Sequence, residues 1–173
     1  SKDGSKIFVA DSGASRIVTL SSATLAEESS LALTNGEMVK GLCYDGDGED
    51  GVWIADSQNN QVAYYHLSSS TPVITYRGEL EDPRDVQIIY SGGYKYLGVV
   101  DSQNSCVRLF KVKCKGGKNS TLASIVDIGS PADSSLEPYE QLWYPNGVFP
   151  VSGTSTIYVA DYGHNMIKWY DLS

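Results

Sequence analysis

The sequence has few of the residues from which metal and redox centres are built. Among 173 residues there are two histidines and three cysteines, and Cys43, Cys106 and Cys114 lack the CxxC spacing of a zinc site. A disulfide among them would leave one cysteine over, and a Cys106–Cys114 bond would require the chain to turn back between the two. We therefore expect no metal, no cofactor, and cysteines that are buried or free thiols.

Long apolar segments and positive charge are also scarce. No apolar run approaches the roughly 20 residues of a membrane-spanning helix. The first six residues are polar, where a secretory signal would be apolar. Thirteen Lys and Arg against 21 Asp and Glu give a net charge of −8. The sequence predicts no membrane span, and its acidic balance opposes non-specific binding to nucleic acid.

What the sequence does contain is a repeat. The segment IYVAD at Ile157–Asp161 has counterparts at Ile7–Asp11, Val52–Asp56 and Leu97–Asp101. Each copy runs from apolar or β-branched residues to an Asp, crosses a short polar loop and resumes at a β-branched residue, which predicts a strand, a turn and a second strand. Because consecutive residues in these strands are apolar, both faces of each sheet are expected to be covered.

The Asp that ends each copy is interpreted as a turn residue. We expect its carboxylate to accept backbone N–H groups one or two residues further on, as in an Asx turn. The four residues concerned are Asp11, Asp56, Asp101 and Asp161, and each is followed four positions later by a small polar turn former: Ser15, Asn60, Ser105 and Asn165. Because the Asp recurs in every repeat, it is a poor candidate for a catalytic acid or base.

The spacing of the repeat predicts the architecture. Asp11 to Asp56 and Asp56 to Asp101 are both 45 residues, whereas Asp101 to Asp161 is 60. Periods of about 40 to 50 residues with several short strands are typical of β-propeller blades. We predict an all-β chain, a single propeller segment over residues 1–173, with repeats at about 1–35, 36–80, 81–140 and 141–173. The extra residues of the third repeat are expected in two loops, 113–119 and 129–141.

The first and last repeats are incomplete in this prediction. The first begins without its innermost strand, and the last stops before an outer strand. Open ends of this kind expose apolar sheet faces, which we expect to carry Ile7, Val9, Ile157 and Val159. Further blades of the same polypeptide or a neighbouring subunit are expected to cover them.

The pattern Val-Ala-Asp-Ser/Tyr-x-x-Asn/Ser-x-Ile/Val, preceded in two repeats by Pro-x-Gly/Asp-Val, resembles the NHL repeat of β-propeller proteins. The resemblance covers nearly the whole chain, and its best copy is Ile157–Ile167. It implies a propeller of about six blades, of which this chain supplies four. Similar hairpins occur in sugar-lactone hydrolases, amidating lyases and receptor YWTD domains, so the resemblance leaves the activity open.

Two groups of polar residues are candidates for binding. Lys40, Arg84 and Asn146 precede the innermost strands of successive repeats, which places them near one mouth of a propeller channel; an ordinary solvated rim is the alternative. Asp45, Asp47, Glu49 and Asp50 could form a calcium loop. The sixth position of an EF-hand-like loop would, however, be Asp50 where Gly is needed, which favours a solvated turn.

The leading functional hypothesis is a non-enzymatic module that binds a protein or glycan partner, or has a structural role, in an extracellular assembly. No convergent set of acids, bases or metal ligands accompanies the repeat. The Asn119-Ser120-Thr121 triplet is an N-glycosylation sequon, with Asn119 as the acceptor, and the hydroxyl-rich run at 68–72 could carry O-glycans; both favour an extracellular location. The alternative is a lactonase- or lyase-like propeller enzyme whose catalytic residues lie partly outside this chain.

Overall fold

The structure is a computed structural model that describes residues 1–34, 37–47, 50–115 and 118–173, without the side chains of residues 114, 115, 118–120, 124 and 125. These ranges contain fourteen strands: β1 (Lys6–Asp11), β2 (Arg16–Ser21), β3 (Glu27–Ala32), β4 (Val39–Asp45), β5 (Gly51–Asp56), β6 (Gln61–His66), β7 (Ile74–Tyr76), β8 (Pro83–Ser91), β9 (Tyr94–Asp101), β10 (Cys106–Lys115), β11 (Lys118–Ile128), β12 (Pro145–Pro150), β13 (Thr156–Asp161) and β14 (Met166–Asp171).

The strands form four antiparallel sheets in chain order. Sheet 1 is β1-β2-β3, sheet 2 is β4 to β7, sheet 3 is β8 to β11, and sheet 4 is β12-β13-β14. Every neighbouring pair is antiparallel and consecutive in sequence, because each connection is a hairpin or a short loop. The predicted all-β class is confirmed.

A left-handed residue closes the main hairpin of each sheet. The four small polar residues predicted to form turns all have positive φ: Ser15 at 47°, Asn60 at 49°, Ser105 at 54° and Asn165 at 54°. Asn tolerates this region better than most residues, and Ser is small enough to adopt it. In sheets 1 and 4 the turn includes a short 3-10 segment, at Ser12–Ala14 and Tyr162–His164. The repeated polar position is therefore a requirement of the turn geometry.

The hydrophobic core lies between consecutive sheets, in three layers. β1 contacts β4, β4 contacts β8 and β8 contacts β12, so the sheets are stacked in chain order. In the layer between sheets 2 and 3, Trp53 and Tyr64 pack with Leu97 and Phe110, and all four are at most 2% exposed. Burying each such side chain stabilises the fold by about 1.5–3 kcal/mol. Stacking of the sheets, more than any one hairpin, therefore holds the chain together.

Because side chains alternate along a strand, successive residues face different neighbouring sheets. In β5, the second strand of sheet 2, Val52 and Ile54 pack toward sheet 1, whereas Trp53 and Ala55 pack toward sheet 3. The same parity, counted back from the repeated Asp, holds in all four sheets. Each sheet therefore has one face toward the preceding sheet and one toward the following sheet.

This parity corrects one of the predicted open faces. Ile7 and Val9 are 40% and 39% exposed, as expected for sheet 1, but Ile157 and Val159 are completely buried against sheet 3. The open face of sheet 4 instead carries the residues of opposite parity: Phe149 at 66%, Tyr158 at 45%, Ile167 at 72% and Trp169 at 66% exposed. The prediction for Ile157 and Val159 was wrong because apolar content alone does not say which face of a sheet is covered.

Sheet 3 accommodates its extra residues differently from the prediction. The expected basic loop at 113–119 largely consists of strand, because β10 continues to Lys115 and β11 begins at Lys118. The expected acidic loop at 129–141 is a succession of turns. The candidate glycosylation residue Asn119 lies on β11, paired with Cys114, and its side chain is outside the described residues. Part of the insertion therefore lengthens a hairpin, since paired strands satisfy more backbone groups than a loop.

The cysteines agree with the expectation of free thiols where they are described. Cys43 and Cys106 are free. Burial raises the pKa of Cys43 to about 11 and that of Cys106 to about 12. Cys106 and Cys114 lie eight residues apart on the same strand, β10, a separation of roughly 26 Å that no disulfide spans. Among the residues that the structure describes, no helix is long and apolar enough to cross a membrane.

Candidate binding site at one end of sheets 2 to 4

The three candidate binding residues occupy the same place in three strands. Pairing of β4, β8 and β12 with the next strand shifts by one residue between Val39 and Gly41, between Pro83 and Asp85, and between Pro145 and Gly147. Lys40, Arg84 and Asn146 are the residues that these shifts leave over, so each lies in a β-bulge. The bulges place the three residues at the same end of adjacent sheets.

The structure brings two of the three together. Arg84 Nη1 donates to Asn146 Oδ1 at 2.6 Å, which links sheet 3 to sheet 4, and Arg84 Nε donates to Asp82 Oδ2 at 2.8 Å. Both bonds hold the guanidinium in place while 36% of the Arg84 side chain stays exposed. Lys40 is exposed, and in the described ranges it makes no hydrogen bond or ion pair with the other two. Arg84 and Asn146 thus form one polar group, and Lys40 lies outside it.

Asp85 is a carboxylate that the sequence reasoning missed. Its Oδ1 accepts the N–H of Val86 at 2.8 Å and its Oδ2 accepts the N–H of Val148, on the neighbouring sheet, at 3.0 Å. Burial raises its pKa above the usual value, although both N–H groups act in the opposite direction. The signal was available, because Asp85 stands where the other repeats have Gly41 and Gly147.

In sheet 2, close packing of two strands explains why this position is a glycine. A Cβ on Gly41 would lie 2.5 Å from Cα of Asp85, so the backbones of β4 and β8 approach too closely for a side chain. A Cβ on Gly147 would meet nothing nearer than Asp85 Oδ2 at 3.7 Å. The space beside Gly147 is where the Asp85 carboxylate reaches sheet 4. Asp85 therefore joins sheets 3 and 4 near the Arg84–Asn146 pair.

Exposed aromatic residues surround this end of sheet 4. Trp143, Tyr144 and Tyr162 are 51%, 45% and 64% exposed. Tyr162 and Asn146 line one shallow depression of about 400 Å³ together with Asn165, Met166 and Ile167. We call Arg84, Tyr144, Asn146 and Tyr162 the mouth patch. The mouth patch thus combines a hydrogen-bonded Arg, an amide and two exposed tyrosines.

The repeated Asp residues are buried and bonded, with different donors from those expected. Asp56, Asp101 and Asp161 are at most 1% exposed. Each accepts a backbone N–H from the segment before the first strand of its own sheet: Met38 at 3.0 Å, Glu81 at 2.8 Å and Trp143 at 2.8 Å. These donors lie 18 to 20 residues earlier in the chain. The expected donors one or two residues further on were wrong, because each carboxylate bonds the segment before the first strand of its sheet; at Asp56 the turn also donates, through the Asn59 N–H three residues on, at 3.4 Å.

Side chains complete the set of donors around each buried Asp, and they differ between sheets. Asp56 accepts from Asn59 Nδ2 and Gln61 Nε2, both at 2.7 Å. Asp161 accepts from Lys168 Nζ at 2.7 Å, and His164 Nδ1 lies 2.7 Å from the same carboxylate. These contacts engage the carboxylates in the fold. His164 is thus a turn residue bound to Asp161.

The surroundings shift the pKa of two of these carboxyls in opposite directions. Burial raises the pKa of Asp101, against the effect of the Glu81 N–H and Asn104. Burial acts in the same direction on Asp161, but hydrogen bonds from Lys168, the Trp143 N–H and His164 outweigh it and lower its pKa.

Asp11 is the exception among the four. Its side chain is 35% exposed and its carboxylate receives Arg16 Nε at 2.9 Å. Within the described ranges, sheet 1 has no strand in the position that β4, β8 and β12 occupy in the other sheets. The backbone donor found in sheets 2, 3 and 4 therefore has no counterpart in the described part of sheet 1.

The acidic segment Asp45–Asp50, for which a solvated turn was favoured over a calcium loop, makes other contacts where it is described. Asp45 is 3% exposed, accepts Trp53 Nε1 at 2.9 Å and pairs with Lys95 Nζ at 2.5 Å. The Tyr90 hydroxyl donates to Asp47. Glu49 lies outside the described residues, and no group of three or more His, Cys, Asp or Glu among the described ones is placed to hold a metal ion. Asp45 therefore belongs to a buried ion pair that joins sheets 2 and 3.

No family model matches the chain, and no curated protein matches it in sequence. Among solved structures it is similar to a selenomethionine-substituted virginiamycin B lyase from Staphylococcus aureus, at 13% identity and a TM-score of 0.62, over 97% of this chain and 52% of that chain. It is also similar to Kuenenia stuttgartiensis hydrazine synthase, at 12% identity and a TM-score of 0.65, over 99% of this chain and 44% of that one.

These comparisons concern the fold alone. The chain spans about half the length of the two structures it matches. Both are propeller-like proteins, so the four stacked sheets have a propeller-like arrangement, and within the described ranges they do not close into a ring.

Proposed function

We propose that this chain is an NHL-type portion of a β-propeller of about six blades, and that it binds a protein partner through the mouth patch. The observation that carries the proposal is the Arg84–Asn146 pair at 2.6 Å. Exposed Tyr162 lines the same depression as Asn146, and exposed Tyr144 precedes Asn146 by two residues. An Arg already fixed by Asp82 and Asn146 loses little side-chain entropy when a partner binds. Exposed tyrosines add contact area at the same low entropic cost.

The repeated carboxylates are already hydrogen-bonded within the fold, which supports a non-enzymatic role. Asp56, Asp101 and Asp161 are bonded to backbone N–H groups and neighbouring side chains. A general acid or base must instead reach the substrate. We place the protein in an extracellular assembly, in which it serves as a binding or structural module, because Asn119 begins a glycosylation sequon.

The test compares three immobilised proteins in an extract of the source organism: wild type, the double variant Arg84→Ala/Tyr162→Ala, and the control Glu28→Ala, which changes an exposed residue of sheet 1. We expect a protein that binds wild type and control saturably, and binds the double variant at least about tenfold more weakly, as removal of an interface hot spot requires. Titration of the purified partner measures the difference. Equal binding by all three proteins would contradict the proposal.

A glycan array with the same three proteins decides between partner classes. Glycan binding that the double variant loses and the control keeps would replace the protein partner with a glycan.

A lactonase- or lyase-like enzyme is the second candidate, and one observation favours it. Asp85 is a carboxyl with a raised pKa on the first strand of sheet 3, and one structural neighbour is by its title a lyase. The raised pKa is a property that a general acid needs, and Asp85 is partly exposed, whereas Asp101, whose pKa is also raised, is fully buried. Turnover of lactones or esters that wild type shows and Asp85→Asn lacks would establish this candidate, whereas turnover that both share would come from a contaminant.

A further inference from the structure

Two sheet faces at the ends of the stack are open: the face of sheet 4 that would meet a following sheet, and the face of sheet 1 that would meet a preceding sheet. Faces of these two kinds pack together inside the stack. At each internal interface, the following-sheet face of one sheet meets the preceding-sheet face of the next. Sheet 4 exposes a following-sheet face, and sheet 1 exposes a preceding-sheet face, with Ile7 and Val9 at 40% and 39% exposure. The chain therefore carries both halves of one further interface of the same type.

The two open faces also match in side-chain size. The cross-strand row Phe149–Tyr158–Trp169 of sheet 4 has the same register as the row Cys43–Trp53–Tyr64 of sheet 2. In sheet 2 the two large aromatics of that row are covered by Leu97 and Val99 of sheet 3 and by Phe110, whose equivalent in sheet 1 is Leu20.

Ile7 and Val9 of sheet 1 stand at the positions equivalent to Leu97 and Val99, counted back from Asp11 and Asp101. Aromatic residues on one face thus meet branched aliphatic residues on the other.

The open face of sheet 4 has no charge at its centre; its residues are Phe149, Tyr158, Ala160, Ile167 and Trp169. On sheet 1 the apolar residues are Ile7, Val9, Leu20 and the 7% exposed Val18, and the charged residues on the same face, Asp11, Arg16 and Glu27, pair with one another. Joining them therefore costs no desolvation of an unpaired charge. Four large apolar side chains that lie together and are 45% to 72% exposed form the kind of patch that marks a contact surface on a soluble protein.

We propose that the open face of sheet 4 docks on the open face of sheet 1 of a second copy of this chain, head to tail. A second copy brings the number of stacked sheets to eight, in place of the about six blades that the repeat resemblance implies, and the structures that the chain resembles are about twice its length. The contact is heterologous, so each copy uses two different surfaces. The sheet 4 face adjoins the mouth patch at Ile167, which lines the same depression as Asn146 and Tyr162. Variants at Trp169 and Val9 leave the mouth patch unchanged, so the two proposals can fail separately.

The test uses one variant for each face. Trp169→Glu places a charge on the sheet 4 face and Val9→Glu places one on the sheet 1 face; both residues are exposed, at 66% and 39%, so the isolated chain can still fold. Val73→Glu, at an exposed valine outside both faces, is the matched control. Circular dichroism checks folding, and Phe149→Lys and Ile7→Lys replace any variant that does not fold.

Sedimentation velocity over a wide range of concentrations gives the result. We expect wild type and Val73→Glu to form dimers or larger species, and each face variant alone to be monomeric, with association weakened by at least about tenfold. A mixture of Trp169→Glu and Val9→Glu retains one intact pair of faces and should form a heterodimer that does not grow further.

Because every copy carries a net charge of −8, wild-type association should also strengthen with added salt. The proposal is overturned if wild type is monomeric throughout, as it would be if these faces bind only further sheets or another partner. Continued association of either face variant alone, or a mixture that stays monomeric, would overturn it as well.

Discussion

Sheets 2 and 4 carry the same aromatic pair in very different surroundings. Trp53 and Tyr64 of sheet 2 face each other across β5 and β6 and are 0% and 2% exposed. Tyr158 and Trp169 of sheet 4 have the same register across β13 and β14 and are 45% and 66% exposed. The local sequence is equivalent in both, so the following sheet alone makes the difference. In a stack of this kind, burial is a property of the position in the stack.

Truncating the aromatics should produce the largest contrast between the two sheets. Trp53→Ala removes a fully buried indole and its bond to Asp45, and we expect a loss of about 3–5 kcal/mol in the free energy of unfolding. Trp169→Ala should change the free energy of unfolding by less than about 0.5 kcal/mol in dilute monomer, since no sheet covers it. Urea denaturation at low concentration measures both. Equal losses would mean that sheet 4 is covered in the monomer.

The repeated Asp gives the next contrast. Asp56→Ala leaves the Met38 N–H and the amides of Asn59 and Gln61 without their acceptor, and we expect a cost of about 2–4 kcal/mol. Asp11→Ala removes an exposed pair with Arg16 and should cost at most about 1 kcal/mol. Thermal unfolding of the two variants decides. A comparable drop in midpoint would show that Asp11 has a buried role that its exposure conceals.

Gly41 and Gly147 each follow the bulged residue in the first strand of their sheet. They allow the interface between sheets 2 and 3 to be compared with the interface between sheets 3 and 4. Gly41→Ala would bring a Cβ within 2.5 Å of the Asp85 backbone, so β4 or β8 must shift, at a cost of about 1–3 kcal/mol. Gly147→Ala meets only ordinary contacts at 3.7 Å and should be neutral or stabilising by up to about 1 kcal/mol. Denaturant midpoints compare them directly, and an equal cost at both positions would contradict the close approach of β4 and β8.

The pH dependence of stability should show the smallest contrast, between Asp161 and Asp101. The folded pKa of Asp161 lies below its unfolded value of 3.8, so its contribution is present above that pH and is lost as the pH falls through the folded pKa. Asp161→Asn should therefore reduce the loss of stability on acidification. The folded pKa of Asp101 is raised, so its ionisation opposes folding at neutral pH, and Asp101→Asn should make the acid loss steeper.

Denaturant unfolding of both variants and wild type from neutral pH to pH 3 tests the two signs. Changes in the same direction for both variants would show that the surroundings of the two carboxyls are equivalent.

Sequence reasoning reached the features that depend on local geometry. The hairpins, the repeat period and the turn residues Ser15, Asn60, Ser105 and Asn165 follow from alternation, spacing and the small set of residues that adopt positive φ. The position of Lys40, Arg84 and Asn146 at one end of adjacent sheets follows from the same period.

The sequence did not predict the features that depend on contacts between neighbouring sheets. The apolar residues of β13 did not indicate which of its faces is covered, so Ile157 and Val159 were assigned to the wrong face. The donors to Asp56, Asp101 and Asp161 come from 18 to 20 residues away, a distance at which sequence spacing carries no register information. Asp85 was missed for a different reason, since comparison with Gly41 and Gly147 would have singled it out.

The bulges at Lys40, Arg84 and Asn146 have a consequence for how such a chain can evolve. A bulged residue is left out of the pairing between strands, so selection on folding places little demand on its side chain. Three repeats indeed hold three chemically different residues there. Mutation can therefore alter the chemistry of this end one repeat at a time, while the inherited scaffold of turns, buried aspartates and stacked sheets stays unchanged.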